Sequence, residues 1–267
     1  MGENTTERGW MKIGHGDSIA YKQQLNQWEF NQSILSQHHE NYGLPSNLEE
    51  LDEDQLDILK DLISHSSSSS SSASSTQVSV SSIKPVSPIF EEVLHIDLFI
   101  KECPITCKNF KHLLLGDKGI SKISNKPLHY KNVRIHRLVK DFIIQGGDIT
   151  RNDGSGGESI YGPKFNDEKP GLKKQFGYGT IAMASGSSKN SNSSQFFICL
   201  IPNIQDGDTK EEKERKKKQF GKLDGKYVVF GQVSKESLGL LAKLNALEVK
   251  DGGDGLEGCW IDDCGIV

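Results

Sequence analysis

The chain has 267 residues, a formal net charge of −4 and 34% hydrophobic residues, values expected of a water-soluble protein whose core is diluted by polar segments. No apolar run approaches the roughly 18–20 residues that span a bilayer, and MGENTTERGW lacks the basic-then-apolar pattern of a secretory signal. Residues 1–65 hold 12 acidic and 4 basic side chains, a net of −8, which leaves about +4 for residues 66–267 and argues against a general nucleic-acid binder. The five cysteines (103, 107, 199, 259 and 264) are an odd number without C-x-x-C spacing. They are expected as reduced, buried thiols in a cytoplasmic or nuclear protein.

Residues 1–44 are rich in Gln, Asn and His, and YKQQLNQWEFNQSIL within them suits a short helix despite irregular apolar spacing. Ser46 with Glu49 forms a capping-box pattern ahead of Leu48, Leu51, Leu56, Leu59, Leu62 and Ile63, so 47–63 is expected as one amphipathic acidic helix. Residues 1–63 are thereby read as an N-terminal extension. SHSSSSSSSASS (64–75) is low-complexity and is expected as a flexible linker. The folded domain is expected over 76–267, with QVSVSSI (77–83) as its first strand, although Pro85 and Pro88 interrupt the approach to the next.

Further along, VLHIDLF alternates apolar and polar residues as a half-buried strand does. ECPITCKNFKHLLLG (102–116) reads as a helix opening at Pro104 and stopping at Gly116. NVRIHRLV, DFIIQGG, GTIAMAS, SQFFICLI, KYVVFGQV and WIDDCGI follow as strands, and SKESLGLLAKLN (234–245) as a second helix capped by Ser234. Many short strands with turn signals and two helices predict a mainly β fold, a closed barrel with helical covers.

Five segments, HYKNVRIHRLVKDFIIQGGDIT, GGESIYGPKFNDE, GTIAMAS, SSQFFICL and LDGKYVVFGQV, resemble the motifs of cyclophilin-type peptidyl-prolyl cis–trans isomerases, in order and near the family's spacing. The resemblance covers about residues 90–267. It implies a closed eight-stranded antiparallel barrel capped by two helices, with a substrate groove on its outer wall. It further implies acceleration of X-Pro bond rotation in polypeptides, assisting protein folding, without metal or cofactor. The alternative is a low-activity domain that recruits Pro-containing partners. A monomer is expected, with no membrane and no nucleic-acid partner.

By the same resemblance, Arg137 takes the place of the family's catalytic arginine, and Phe142, Ile143, Phe197 and Leu223 line its proline pocket. Gln145 and Gln195 match glutamines that bond substrate backbone or hold the arginine, and Ala184 and Ser185 match residues that pair with an extended peptide. If Phe196 and Phe197 lie on a strand, one must fill the barrel and the other the groove. Tyr227 replaces a common histidine at the pocket rim. Lys222 stands where many members have a tryptophan that donates a hydrogen bond to cyclosporin, so weakened cyclosporin binding is expected; a shifted register could instead let Phe220 supply the aromatic surface.

An insertion at about 205–221 has helix-favouring composition, and residues 210–218 carry six basic and three acidic side chains, a net of +3. It could be a solvated helical excursion, a basic arm for RNA or an acidic partner, or a partner of the acidic 47–63 helix.

Overall fold

The computed structural model describes residues 7–16, 18–67, 92–186, 188–249 and 255–267. Eight strands form one sheet: β1 (Arg8–His15), β2 (Val93–Leu98), β3 (Ile135–Val139), β4 (Ile143–Gly146), β5 (Thr180–Met183), β6 (Phe196–Cys199), β7 (Val229–Val233) and β8 (Cys259–Ile266). They pair antiparallel in the order β3-β4-β6-β5-β7-β2-β1-β8. The two ends of that order nearly meet. Arg134 bridges to Trp260, the Ile261 amide donates to the Val133 carbonyl at 2.8 Å, and the Leu256 amide donates to the His136 carbonyl at 3.0 Å. Curling the sheet into a nearly closed barrel removes the unpaired edges an open sheet would expose.

The first strand corrects the sequence expectation. The segment expected to supply it, 77–83, lies outside the described residues, whereas β1 fills the place between β2 and β8. The barrel therefore begins at Arg8 and is interrupted by residues 16–92, rather than beginning at 76. Arg8–His15 was hard to read because it carries few large apolar side chains: Met11 and Ile13 point inward between Arg8, Trp10 and Lys12. Its hairpin partner, paired Lys12 to Val93, also lies far along the chain.

Strand alternation divides the wall into two faces. Leu138, Ile144, Ile198, Ile181 and Gly231 lie directly opposite one another across β3, β4, β6, β5 and β7. Their four side chains belong to the interior cluster. Phe110, Tyr130, Phe196 and Phe230 pack there with ring centroids 5.0–5.5 Å apart. Burying each such side chain contributes roughly 1.5–3 kcal/mol.

Two helices cover the barrel core much as expected. Helix α3 (Pro104–Leu115) buries Phe110, Leu113 and Leu114 and ends at Gly116, whose φ of 67° suits glycine. Its cap residue Cys103 makes no side-chain cap bond, so Glu168 supplies one, accepting from the Ile105 and Thr106 amides at 3.1 and 2.8 Å. A short helix α4 (Lys169–Lys173) follows that glutamate. The expected helix at 234–245 starts as a 3₁₀ turn (Lys235–Ser237) and continues as α6 (Leu238–Asn245), burying Leu240, Leu241 and Leu244.

Residues Gly16–Ile89 make a separate unit. Helix α1 (Ser18–Tyr42) is longer than expected. The single helix expected over 47–63 is instead a 3₁₀ turn (Leu48–Glu50) and a helix α2 (Glu53–Ser67). The break has a local cause. Asp52 accepts from the Gln55 amide at 2.8 Å and Gln55 accepts from the Asp52 amide at 3.1 Å, a reciprocal cap that starts α2 there. Asn47, not Ser46, caps the 3₁₀ turn. Helix α2 runs through Ser67 into the expected linker, and 68–75 lie outside the described residues. Ile34, Leu35, Leu44, Leu48, Leu51, Leu59 and Ile63 form the unit's own core.

Candidate active site on the barrel wall

The other face of the same strands builds the site. Arg137, Gln145, Phe197, Ala182 and Val229 lie directly opposite one another on β3, β4, β6, β5 and β7. Neighbouring strands are about 4.8 Å apart, so the row sets guanidinium, amide and phenyl side by side within about 10 Å. Phe196 fills the barrel while Phe197 joins the outer cluster.

A cleft of about 360 Å³ opens over this row. It is lined by Arg137, Phe142, Ile143, Gln145, Ala184, Ser185, Phe197, Leu223 and Tyr227, all named from the sequence, and by Lys222. Phe220 packs on the outer cluster without lining the cleft, whereas Lys222 does line it. The Lys222 ammonium lies 5.7 Å from the Phe142 ring centroid.

Gln195 lies one step outside the cleft and organises it. Its amide nitrogen donates to the Gly154 and Gly156 carbonyls at 2.9 and 2.7 Å, and its oxygen accepts from the Gln145 amide nitrogen at 2.9 Å. Carbonyls only accept, so both amides have one possible orientation. Gln145 is left with its carbonyl oxygen for Arg137 or a bound peptide.

The loop holding those two carbonyls is itself tied down by Asp148, which is fully buried. Its carboxylate accepts from the amides of Thr150, Arg151, Asp153, Gly154 and Gly156 and from the Thr150 hydroxyl. Burial alone would raise its pKa, but these donors outweigh it and hold the group at about 2. A side chain at Gly156 would meet the Thr150 hydroxyl at 2.1 Å, so the loop admits only glycine there. Burial lowers the pKa of neighbouring His136, keeping its imidazole neutral.

Two supporting residues escaped the sequence reading. Phe176 stacks on Phe197 at 5.7 Å and 7°, while Tyr227 meets Phe197 edge-on at 5.1 Å, fixing the ring from two sides. Asp224 accepts from the Phe176 amide at 2.9 Å, joining the 222–227 turn to that stack. Only the spacing of LDGK to the pocket residues hinted at Asp224; QFGYG offered no signal for Phe176.

The insertion is a helix docked beside the cleft. Helix α5 (Lys210–Phe220) opens with a capping box between Thr209 and Glu212. Lys216 is buried, pairing with Asp208 at 2.7 Å and donating to the Asn203 carbonyl at 3.1 Å. Gln219 donates to the Asp141 carbonyl at 3.2 Å, immediately before Phe142.

The outer wall thus sets an apolar pit beside the Arg137 side chain and the Gln145 amide. The chain belongs to the cyclophilin-type peptidyl-prolyl cis–trans isomerase family: the family model for "Cyclophilin type peptidyl-prolyl cis-trans isomerase/CLD" matches residues 88–266. That match starts after β1, which the inserted unit separates from the rest of the barrel. Among solved structures, the chain is similar to a Cryptosporidium parvum cyclophilin-type isomerase crystallised in the presence of the dipeptide Ala-Pro. The identity is 32%, the TM-score is 0.50, and the match covers 66% of this chain and 92% of that one. A second structure of that enzyme matches at 32% identity and a TM-score of 0.50, covering 66% and 91%. The protein is a peptidyl-prolyl isomerase, and a recruiting module with negligible turnover is not favoured.

Proposed function

We propose that Arg137 is the catalytic residue and that the pocket over Phe197 holds the substrate proline. Amide rotation costs about 18–20 kcal/mol because the C–N bond has double-bond character. In the twisted transition state that conjugation is lost and the proline nitrogen gains a lone pair able to accept a hydrogen bond. A donor aimed at this nitrogen stabilises the twisted form over both planar ones, which is all the catalysis requires. Guanidinium keeps its charge and presents a rigid fork. Phe142, Ile143, Phe197 and Leu223 would hold the ring, the Gln145 oxygen would accept from substrate backbone, and Ala184 and Ser185 would pair with the chain beside it. The observation that carries this is the single cross-strand row placing Arg137, Gln145 and Phe197 on one face.

The test is cis–trans exchange of an Ala-Pro peptide, followed by NMR with the full chain. Acceleration is expected, and Arg137→Ala should lower kcat/KM about a hundredfold or more, the scale for removing one transition-state donor. Equal rates with both proteins would overturn the assignment. Lys222 in the tryptophan position supports a further reading, that cyclosporin binds here with reduced affinity.

A further inference from the structure

We propose that helix α5 extends the proline pocket into a reader of acidic sequence, so that preferred substrates carry two or three carboxylates next to the proline. This rests on the isomerase site described above. Residues 205–221 are anchored rather than loose: Lys216 is buried against Asp208 and Asn203, and Gln219 holds the Asp141 carbonyl. Those contacts fix which side of the helix faces the pocket. Arg215 and Gln219 are one turn apart, and Lys218 and Lys222 continue along that side. The Lys222 amide donates to the Gln219 carbonyl at 3.1 Å, so the helical path reaches the cleft that Lys222 lines.

Among the described residues no ion pair involves Arg215, Lys218, Lys222 or the adjacent exposed Lys140. Glu214 pairs with Lys217, the Asp141 carboxylate accepts from Asn245, and Asp224 accepts from the Phe176 amide. Glu211, four residues before Arg215, stands at the end of this basic stripe opposite Lys222 and among the described residues makes no ion pair with it. From Arg215 to Lys222 the path is about 10 Å, at roughly 1.5 Å per helical residue. An extended peptide covers that in about three residues, at roughly 3.3 Å each. A carboxylate-bearing segment leaving the proline pocket would therefore run along the stripe.

The experiment compares kcat/KM of the full chain on three Ala-Pro peptides: one neutral, one with three glutamates before the proline, and one with three after it. One acidic peptide should exceed the neutral one by about fivefold at low salt, the scale of exposed charge pairs acting together. The gain should vanish in ~1 M salt, where the screening length is about 3 Å. It should also vanish in an Arg215→Glu/Lys218→Glu variant that still turns over the neutral peptide normally. If that variant loses its fold, Arg215→Gln/Lys218→Gln is expected to give the same loss of preference. Equal rates for all three peptides, or a preference surviving both variants, would overturn the proposal. So would binding of a single-stranded RNA probe to the stripe without any acidic-peptide preference. Failure to accelerate even the neutral peptide would instead overturn the reading of the site itself.

Discussion

Arg137 lies directly opposite Gln145 on the neighbouring strand, although it is only two residues past Ile135, whose side chain is inside the barrel. In a regular strand residues two apart share a face. The register shifts between Ile135 and Arg137, so His136 is an extra residue, and this bulge turns the guanidinium to the outer wall. Arg137 therefore reaches the cleft through a backbone irregularity, with Gln145 and Gln195 ordered beside it.

The glutamine chain should act as a unit. Gln195→Ala removes the amide that holds Gly154, Gly156 and Gln145 together. We expect kcat/KM to fall about tenfold with the fold intact, and Gln145→Ala to cost little more in that background, as for residues of one network. Strictly additive losses in the double-mutant cycle would contradict this.

The inserted unit and β1 should differ sharply in importance. Deleting residues 1–15 removes the strand that pairs with both β2 and β8, and Met11 and Ile13 from the core. We expect that variant to lose its cooperative thermal transition. Replacing 17–90 by a short Gly-rich turn leaves Lys12 opposite Val93 and should retain the barrel and the isomerase rate. Circular dichroism melts and the exchange assay check both. A folded, active 16–267 would show that β1 is dispensable.

Most of the barrel was legible because its strands carry apolar alternation and its motifs fall in order; the first strand was not. Arg8–His15 offers two inward residues and a partner beyond an inserted unit, so neither periodicity nor proximity marks it. At the site, Arg137, Phe197 and Gln195 sit in contiguous motifs and could be named. Phe176 could not, because its role comes from stacking across loops that only the fold brings together. The helix at 210–220 was readable from composition, but its docking through Lys216 and Gln219 was not, since a lysine in a charged run gives no sign of burial.

Asp148 should give the protein a marked acid limb. Its native pKa of about 2 lies below the usual 3.8, so the ionised group favours the folded state. That stabilisation is fully present above the usual value and is lost as pH falls toward about 2. By linkage it amounts to about 2 kcal/mol at neutral pH. Burial lowers His136 as well, so protonation there also favours unfolding, beginning below its ordinary 6.5. Asp148→Asn should cost about 2 kcal/mol in urea denaturation at pH 7 and flatten the loss of stability between pH 4 and 2. An unchanged acid limb would assign it to other carboxylates.

Substitution of Lys222 should separate the proposed cyclosporin affinity from turnover. It lines the cleft with its ammonium near the Phe142 ring, while Phe142, Ile143, Phe197 and Leu223 form the apolar pit without it. A tryptophan there adds a ring face and an N–H donor at the rim. That donor is the feature expected to bond cyclosporin, and a rim contact acts on the ground-state complex rather than on the twisted amide. Lys222→Trp should therefore tighten cyclosporin about tenfold, on the scale of one well-placed hydrogen bond with some apolar burial. The exchange rate on a neutral Ala-Pro peptide should change less than about twofold to threefold. Calorimetric titration with cyclosporin, run beside the exchange assay, reads both quantities. A variant with no gain in cyclosporin affinity would mean that the 222–227 turn does not reach the ligand. A variant whose turnover changed as much as its affinity would mean that Lys222 contributes to the transition state as well as to the rim.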